Sequence, residues 1–451
     1  MPHRMLAVLA QLRQDLPGLL DRHAIETHCR SLGHVWRRCV LDPFLIIQVF
    51  LIQILHGNTA LTHLPLLAGR TFTASAFCQA RTRLPLAVFQ ALLQRVGRAL
   101  HNDTQETGRW FGHRTLLIDG SSFSMPDTPE LQKHFGQSKK AKPGCGFPVA
   151  HLMALFHAGT GLLIEAFAAP LHSHDMGLVR KLHPRLEPGD VLVGDRGFCS
   201  VVHLAMLISR QFHAVLRIHQ RLIVDFTPNR PHANPRGTIE ATTGLPRSRW
   251  IRALGLTDQV VEWFKPSLRP NWMSVEEFDA LPAVVAVREL RYRIDAPGYR
   301  TRVITLVTTL LDETIYTAES LAKLYLSRWE VETHLRQLKQ TMKLDVLKCA
   351  TLAGITKELT MYAIVYNLVR VVMLEASKKQ SVDVERISFI DAMRWLAEAP
   401  IDASLPKLKV NPLRPNRSEP RSIKRRPKQY PWMSAPRSEL RKRLISKGIA
   451  A

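Results

Sequence analysis

The sequence predicts an α/β protein, a strand-and-helix core held between helical flanks. Three observations predict it. From Met1 to about Trp110, apolar residues return at three and four positions in LAVLAQLRQDL, FLIIQVFLIQIL and LAVFQALLQRVGRAL, the period of amphipathic helices. From Thr115 to Ile218 the pattern alternates between short apolar runs of strand length and helical stretches. Beyond Tyr299 another apolar run, YRTRVITLVTTLLD, leads into a long helical segment, TAESLAKLYLSRWEVETHLRQLKQTMKL, with Thr317 and Ser320 as its expected caps.

The elements follow in order. Residues 1–110 read as a helical domain. Within it TASAFCQARTRLP sets Ser75, Gln79, Arg81 and Arg83 on a short helix, a group suited to a DNA groove, although two arginines on a helix are equally a solvated face. Residues 111–219 form the first part of the core. RTLLIDGSSFSM, GFPVAHLMALFHAG and GLLIEAFAAPL read as an antiparallel run, MGLVRKLHPRL as a helix, DVLVGD as a strand, and VVHLAMLISRQF as a helix leading into HAVLRIH. Residues 220–298 mix strand signals with prolines and basic residues, as in TPNRPHANPRGT, and read as a mainly β insertion. Residues 299–400 resume the core, with two further helices near 354–376 and 387–398. Residues 401–451 form a basic tail.

Charge narrows the function. The chain carries a net charge of +24 over 451 residues. From Ser404 onward, fourteen Lys and Arg stand against Glu419 and Glu439, a surplus of twelve that is half of the total. Lys424, Arg425 and Arg426 lie at its centre, in a stretch too rich in proline and charge to build a core and suited to phosphate backbones. SIKRRPK also looks like a nuclear-import patch, but nothing else supports a nuclear address. At 46% hydrophobic, the chain has apolar residues enough for a substantial core. PFLIIQVFLIQIL is too short to cross about 30 Å of hydrocarbon. MYAIVYNLVRVVML contains Asn367 and Arg370 and reads as a buried bundle helix. No apolar segment of signal-peptide kind follows Met1, and the six cysteines lack a CxxC pair, so a reduced, cytoplasmic protein with no membrane partner is expected. His28, Cys29, His34 and Cys39, and separately His172, His174 and Asp175, are zinc-type ligands without the paired spacing of a structural finger.

The most specific signal is YLSRWEVETHLRQLK. On a helix turning 100° per residue, Tyr325, Arg328, Glu332 and Lys339 fall within roughly 60° of one another, while Glu330 points away. A carboxylate flanked by guanidinium, ammonium and phenol suits a metal ion held beside a phosphate; the same charges could also form a surface ladder. Two further acids close apolar strands: Asp119 ends RTLLID and Asp195 ends DVLVGD, with separations of 76 and 137 residues along the chain to Glu332. Singly, an aspartate before Gly-Ser or Arg-Gly also makes turns and caps. Their order and placement together carry the reading.

This spacing resembles the YREK signature of the DDE insertion-sequence transposases of the insertion sequence 4 group. The resemblance implies a ribonuclease H-like catalytic core with Asp119, Asp195 and Glu332 as catalytic and metal-binding residues. It implies two Mg²⁺ or Mn²⁺ ions, with Tyr325, Arg328 and Lys339 on the DNA. It also implies double-stranded DNA partners, both transposon ends and target, and a homodimer that bridges two ends. The expected reaction is hydrolysis at the transposon ends followed by strand transfer. Better-understood members carry a tryptophan on the strand before the glutamate helix; Tyr299 at its start is the nearest counterpart here, so a hairpin intermediate is left open. A nuclease of the same fold without strand transfer, and a catalytically silent DNA-binding protein, are the alternatives.

Overall fold

A computed structural model describes residues 9, 12, 21–37, 39–139, 142, 144–233, 244–294, 303–400, 403–413 and 435–447. Its centre is one nine-stranded sheet in the order β3-β2-β1-β4-β5-β9-β8-β7-β6. β1 (Thr115–Ser124), β2 (Val149–His157) and β3 (Leu163–Pro170) form an antiparallel meander. β4 (Val191–Gly194) and β5 (His213–Arg217) then run parallel to β1. Parallel strands buried on both faces need apolar residues at every position, which is why TLLI and VLVG are continuous rather than alternating.

The expected insertion joins this sheet. β6 (Ser248–Gly255), β7 (Asp258–Phe264) and β8 (Val284–Arg293) pair in antiparallel order, and β8 pairs with β9 (Val303–Thr308), which in turn pairs with β5. The strands on either side of position 298 are therefore hydrogen-bonded neighbours. Backbone groups left open at the β5 edge are satisfied by β9, and those of β9 by β8.

Eight helices longer than eight residues matter for the site: α1 (Arg22–Ser31), α2 (Pro43–Leu55), α3 (Ala74–Arg83), α4 (Leu86–Ala99), α5 (Val201–Ser209), α6 (Ala318–Arg336), α7 (Leu352–Gln380) and α8 (Phe389–Glu398). On one face of the sheet Leu117, Val193 and Val215 pack with Leu324 and Val331 of α6 and with α2, α4 and α7. On the other face Leu116, Ile118, Leu192 and Leu216 pack with Val202 and Leu204 of α5. α2 starts at Pro43 behind Asp42, whose side chain accepts from Leu45 N, and all thirteen of its residues are buried. The helices of residues 1–110 thus share one core with the sheet. The first expected helix, LAVLAQLRQDL, falls largely outside the described residues, as do Tyr299 and Lys424, Arg425 and Arg426.

α7 is long and apolar enough to cross a membrane by length and composition, and 94% of its most apolar window is buried inside the fold. Its polar residues explain why it is a core helix. Asn367 gives to Leu163 O and accepts from Leu163 N at 2.9 and 2.8 Å, closing the start of β3. Arg370 donates to Thr160 O and pairs with Glu385 at 2.5 Å.

The expected groove-reading helix α3 needs one correction. Arg81 is buried, donates to Gln53 Oε1 at 3.2 Å, and lies over the rings of Phe50 and Phe77. Its guanidinium belongs to the core between α2 and α3 and does not face a DNA groove. Arg83, two residues on, is exposed.

Candidate active site

Strand register assembles the site. Ile118 pairs with Gly194, and Gly194 with Leu216, so the next residues, Asp119, Asp195 and Arg217, stand side by side where the parallel pairing of β1, β4 and β5 ends, although β1 itself runs on against β2 to Ser124. Leu117, Val193 and Val215 face α6, and by the period of two Asp119, Asp195 and Arg217 lie on that same side. α6 crosses all three strands. β4 and β5 stop there and their loops diverge, and the carboxyl ends of parallel strands are where open α/β sheets place their ligands.

Each aspartate is held by a nearby backbone N–H. Asp119 Oδ1 accepts from Gly120 N, and Asp195 Oδ1 from Gly197 N, both at 2.8 Å. Asp195 thereby caps a single 3₁₀ turn over Arg196–Phe198. Both acids line one cavity of about 600 Å³ together with Ser121, Asp175, Arg196 and Gln220.

α6 carries the remaining signature. Thr317 caps it, accepting from Ser320 N as expected. Arg328 is mostly buried, reaches Glu332 Oε1 at 3.4 Å and lies over the rings of Tyr325 and Trp329. Its Nε is buried without a partner. Tyr325 is 1% exposed, so it supports Arg328 from beneath instead of meeting a DNA backbone directly, as the sequence had suggested. Burial raises the Tyr325 hydroxyl above its ordinary range, with Arg328 pulling the other way. The regular helix stops at Arg336 and widens into a π turn over Gln337–Thr341, where Met342 N donates to Gln337 O. Lys339 sits in this turn and donates to Ser121 Oγ at 2.9 Å, two residues from Asp119. Such widened turns are frequent at functional sites because they re-aim one side chain without ending the helix.

Electrostatics single out Asp119. Burial pushes its carboxyl up to about 6; the Gly120 N–H and Arg328 pull it down, and Asp195 and Glu332 push it up again. The two other acids are thus near enough to feel its charge. Glu332 is the outlying member: its side chain is more than half exposed and turned toward Arg328. Among the described residues, no three His, Cys, Asp or Glu side chains converge closely enough to hold an ion, and that holds for this triad and for the two clusters at His28–Cys39 and His172–Asp175.

The raised Asp119 carboxyl has a measurable consequence. Its folded pKa lies above the unfolded value, so without metal the folded state prefers the proton, and stability falls as pH rises from about 4 to about 6. Asp119→Asn removes that penalty. The metal-free variant should be more stable than wild type above pH 6, by on the order of 2 kcal/mol, and no more stable below pH 4. Thermal unfolding at the two pH values, with and without Mg²⁺, checks this; Mg²⁺ should raise the wild-type midpoint at pH 8 and leave that of the variant in place.

Arg217 escaped sequence reasoning, although it closes HAVLR one residue past Leu216 just as Asp119 and Asp195 follow Ile118 and Gly194, and that shared position was the available signal. Asp175, read from the sequence only as a zinc-type ligand beside His172 and His174, instead sets its Oδ1 3.1 Å from His151 Nε2 beside Gly120. No spacing rule relates Asp175 to His151, because they come from the start of a short helix and from β2.

Comparison with known proteins places this arrangement. A family model described as a transposase DDE domain matches residues 110–368, over half of the chain, from just before β1 to within α7. The chain belongs to the DDE transposases. It is similar to the transposase InsG for insertion sequence element IS4 of Escherichia coli strain K12, with 24% identity over 384 residues, covering 80% of this chain and 79% of that protein. Among solved structures it is similar to the piggyBac transposase synaptic complex with hairpin DNA, at a TM-score of 0.43 and 10% identity, covering 88% of this chain and 79% of the other. The transposase is therefore a DNA-transposing enzyme of the insertion sequence 4 kind, and divalent metal ions serve its family generally.

Proposed function

We propose that the transposase cuts DNA at the ends of its element and joins the freed 3′ ends to a target, using Asp119, Asp195 and Glu332 around two Mg²⁺ or Mn²⁺ ions. The observation that carries this reading is the register that sets Asp119 of β1 and Asp195, just past β4, side by side on adjacent parallel strands beneath the helix bearing Glu332. The order β3-β2-β1-β4-β5, with three antiparallel strands followed by two parallel ones, supports a ribonuclease H-like core.

The donor set fits the metal. Carboxylate oxygens favour hard divalent cations over zinc, and Asp119, buried with its charge poorly compensated, is a group that a cation would stabilise. Asp119 and Asp195 would hold the ions, and Glu332, whose exposed side chain is turned toward Arg328, would complete the shell. Bound there, the ions would activate water or a 3′ hydroxyl and stabilise the leaving oxygen. The chain's own groups do the rest. Arg328, Lys339 and Arg217 present positive charge on the same side as the acids and would grip phosphates flanking the scissile bond. Tyr325 and Trp329 keep the Arg328 guanidinium in place. Arg83 and the tail around Lys424, Arg425 and Arg426 would add backbone contacts to double-stranded DNA at transposon ends or target. A homodimer would bridge two ends, acting in the bacterial cytoplasm on the nucleoid.

The test is a joining assay with radiolabelled duplex ends carrying the element's terminal repeat, a target plasmid and Mg²⁺. Ends covalently joined to the plasmid support the transposition mechanism. Cleaved ends that never join would mean a nuclease of the same fold, and binding without cleavage would mean a silent DNA-binding protein.

A further inference from the structure

We propose that His183 and His203 are positioning residues, a directed hydrogen-bond relay from Arg210 that holds the turn carrying Asp195. The proposal rests on the reading of Asp195 as a metal-binding residue.

The direction of each bond follows from its ends. Arg210, just past α5, has only donors, and its Nη1 lies 3.1 Å from His183 Nδ1, which must accept. A neutral His183 then carries its proton on Nε2, 3.2 Å from His203 Nε2. That nitrogen accepts, so His203 carries its proton on Nδ1, 2.7 Å from Phe198 O. A carbonyl can only accept, so the far end requires the same assignment that the near end does. Two independent ends agree on one pair of tautomers.

The surroundings keep both rings neutral and still. His183 is 2% exposed and His203 not at all, and the rings lie nearly parallel, 10° apart with centroids at 5.3 Å. Phe212 packs against His183 with its ring steeply inclined to the imidazole. Burial lowers both imidazoles, to about 3 for His183 and about 4 for His203. A charged ring would donate from both nitrogens and break the chain.

The relay ends where placement matters. Phe198 is the last residue of the turn that Asp195 caps: Phe198 N donates to Asp195 O at 3.1 Å, and Asp195 Oδ1 accepts from Gly197 N. The Phe198 ring lies against Gly194, where an added Cβ would stand 3.2 Å from Phe198 Cδ2. Fixing the Phe198 carbonyl therefore fixes the turn against the end of β4, and with it the direction of the Asp195 carboxylate.

The first measurement is histidine ¹⁵N NMR on the full-length wild-type protein, which requires no variant to fold. Nδ1–H at His203 with Nε2–H at His183 is expected, and the opposite tautomer at either ring overturns the relay. Cleavage as a function of Mg²⁺ then compares three variants whose thermal midpoints are read alongside. His203→Phe keeps a ring but no donor, and should raise the Mg²⁺ concentration for half-maximal cleavage about tenfold, the usual scale for a residue supporting a metal ligand. His203→Asn keeps an N–H where Nδ1 stood and should stay within about threefold of wild type. Asp195→Asn should abolish cleavage at every Mg²⁺ concentration. A silent Asp195→Asn with an unaffected His203→Phe overturns the relay alone, as does equal impairment of both His203 variants at matching midpoints. Cleavage retained in Asp195→Asn overturns the reading of Asp195 itself.

Discussion

Glu332→Gln should reduce strand cleavage by roughly a thousandfold or more, while Glu330→Gln leaves it within a few-fold of wild type. The amide preserves the shape of Glu332 and removes the charge that a metal requires. Because the Glu332 side chain is more than half exposed, the change should leave the fold intact, and equal thermal midpoints would confirm that the loss is chemical. Glu330, two residues away, faces the interior. Burial, then Glu385 and Asp383, push its carboxyl up to about 8, with Arg370 opposing them. Its folded pKa lies above the unfolded value, so its stabilising, protonated form is lost as pH rises from about 4.5 through 8. Glu330→Gln should therefore match wild type in stability near pH 4 and exceed it above pH 8. A Glu332→Gln protein that cuts at the wild-type rate would refute the triad. A dead Glu330→Gln would mean that the working face of α6 has been misassigned.

Arg370→Leu should be the most destabilising single change considered, by about 3 to 5 kcal/mol. Arg370 is fully buried on α7 and binds Thr160 O through both Nε and Nη2, as well as Glu385. Burial alone would raise the Glu385 carboxyl; Arg370 and then His334 reverse that and hold it below its ordinary value. Removing the guanidinium leaves the Glu385 charge without its arginine partner, with Glu330 nearby. It also orphans Thr160 O beside Gly161, whose left-handed φ of +65° shapes the β2–β3 turn around the arginine. The double variant Arg370→Leu/Glu385→Leu should recover more than half of the loss, because both charges leave together. Urea unfolding of the wild type and the variants measures this. A cost below about 1 kcal/mol for the single change would show that water reaches the pair and that the network is not buried in solution.

The same residues show what was readable in one dimension. RTLLID and DVLVGD were legible because a strand buried on both faces needs an unbroken apolar run, and an acid that ends such a run stands out. α6 and its cap were legible from Thr317 and helical spacing. Arg81 misled, because a sequence shows that a side chain is cationic and not whether Phe50, Phe77 and Gln53 surround it. Lys339 reached Ser121 by another route than uniform helical rotation: it sits in a π turn, after which the chain pairs with Ser124. The strands between 248 and 293 join the core sheet through β9, and that joining depends on hydrogen bonds between segments far apart in the chain.

By itself the sequence determined the residue types and their local periods: three acids, one cationic helix face, a basic tail and a strand-rich core, enough to indicate metal-dependent chemistry on DNA. Only the tertiary structure decided which charges are free to act. It buried Arg81, Tyr325 and Arg370 as supports, aligned the unremarked Arg217 with two aspartates, and brought His183 and His203 behind Asp195. The physical reason is that periodicity is a property of neighbouring residues, whereas burial, register and hydrogen-bond direction are set by partners tens or hundreds of residues away.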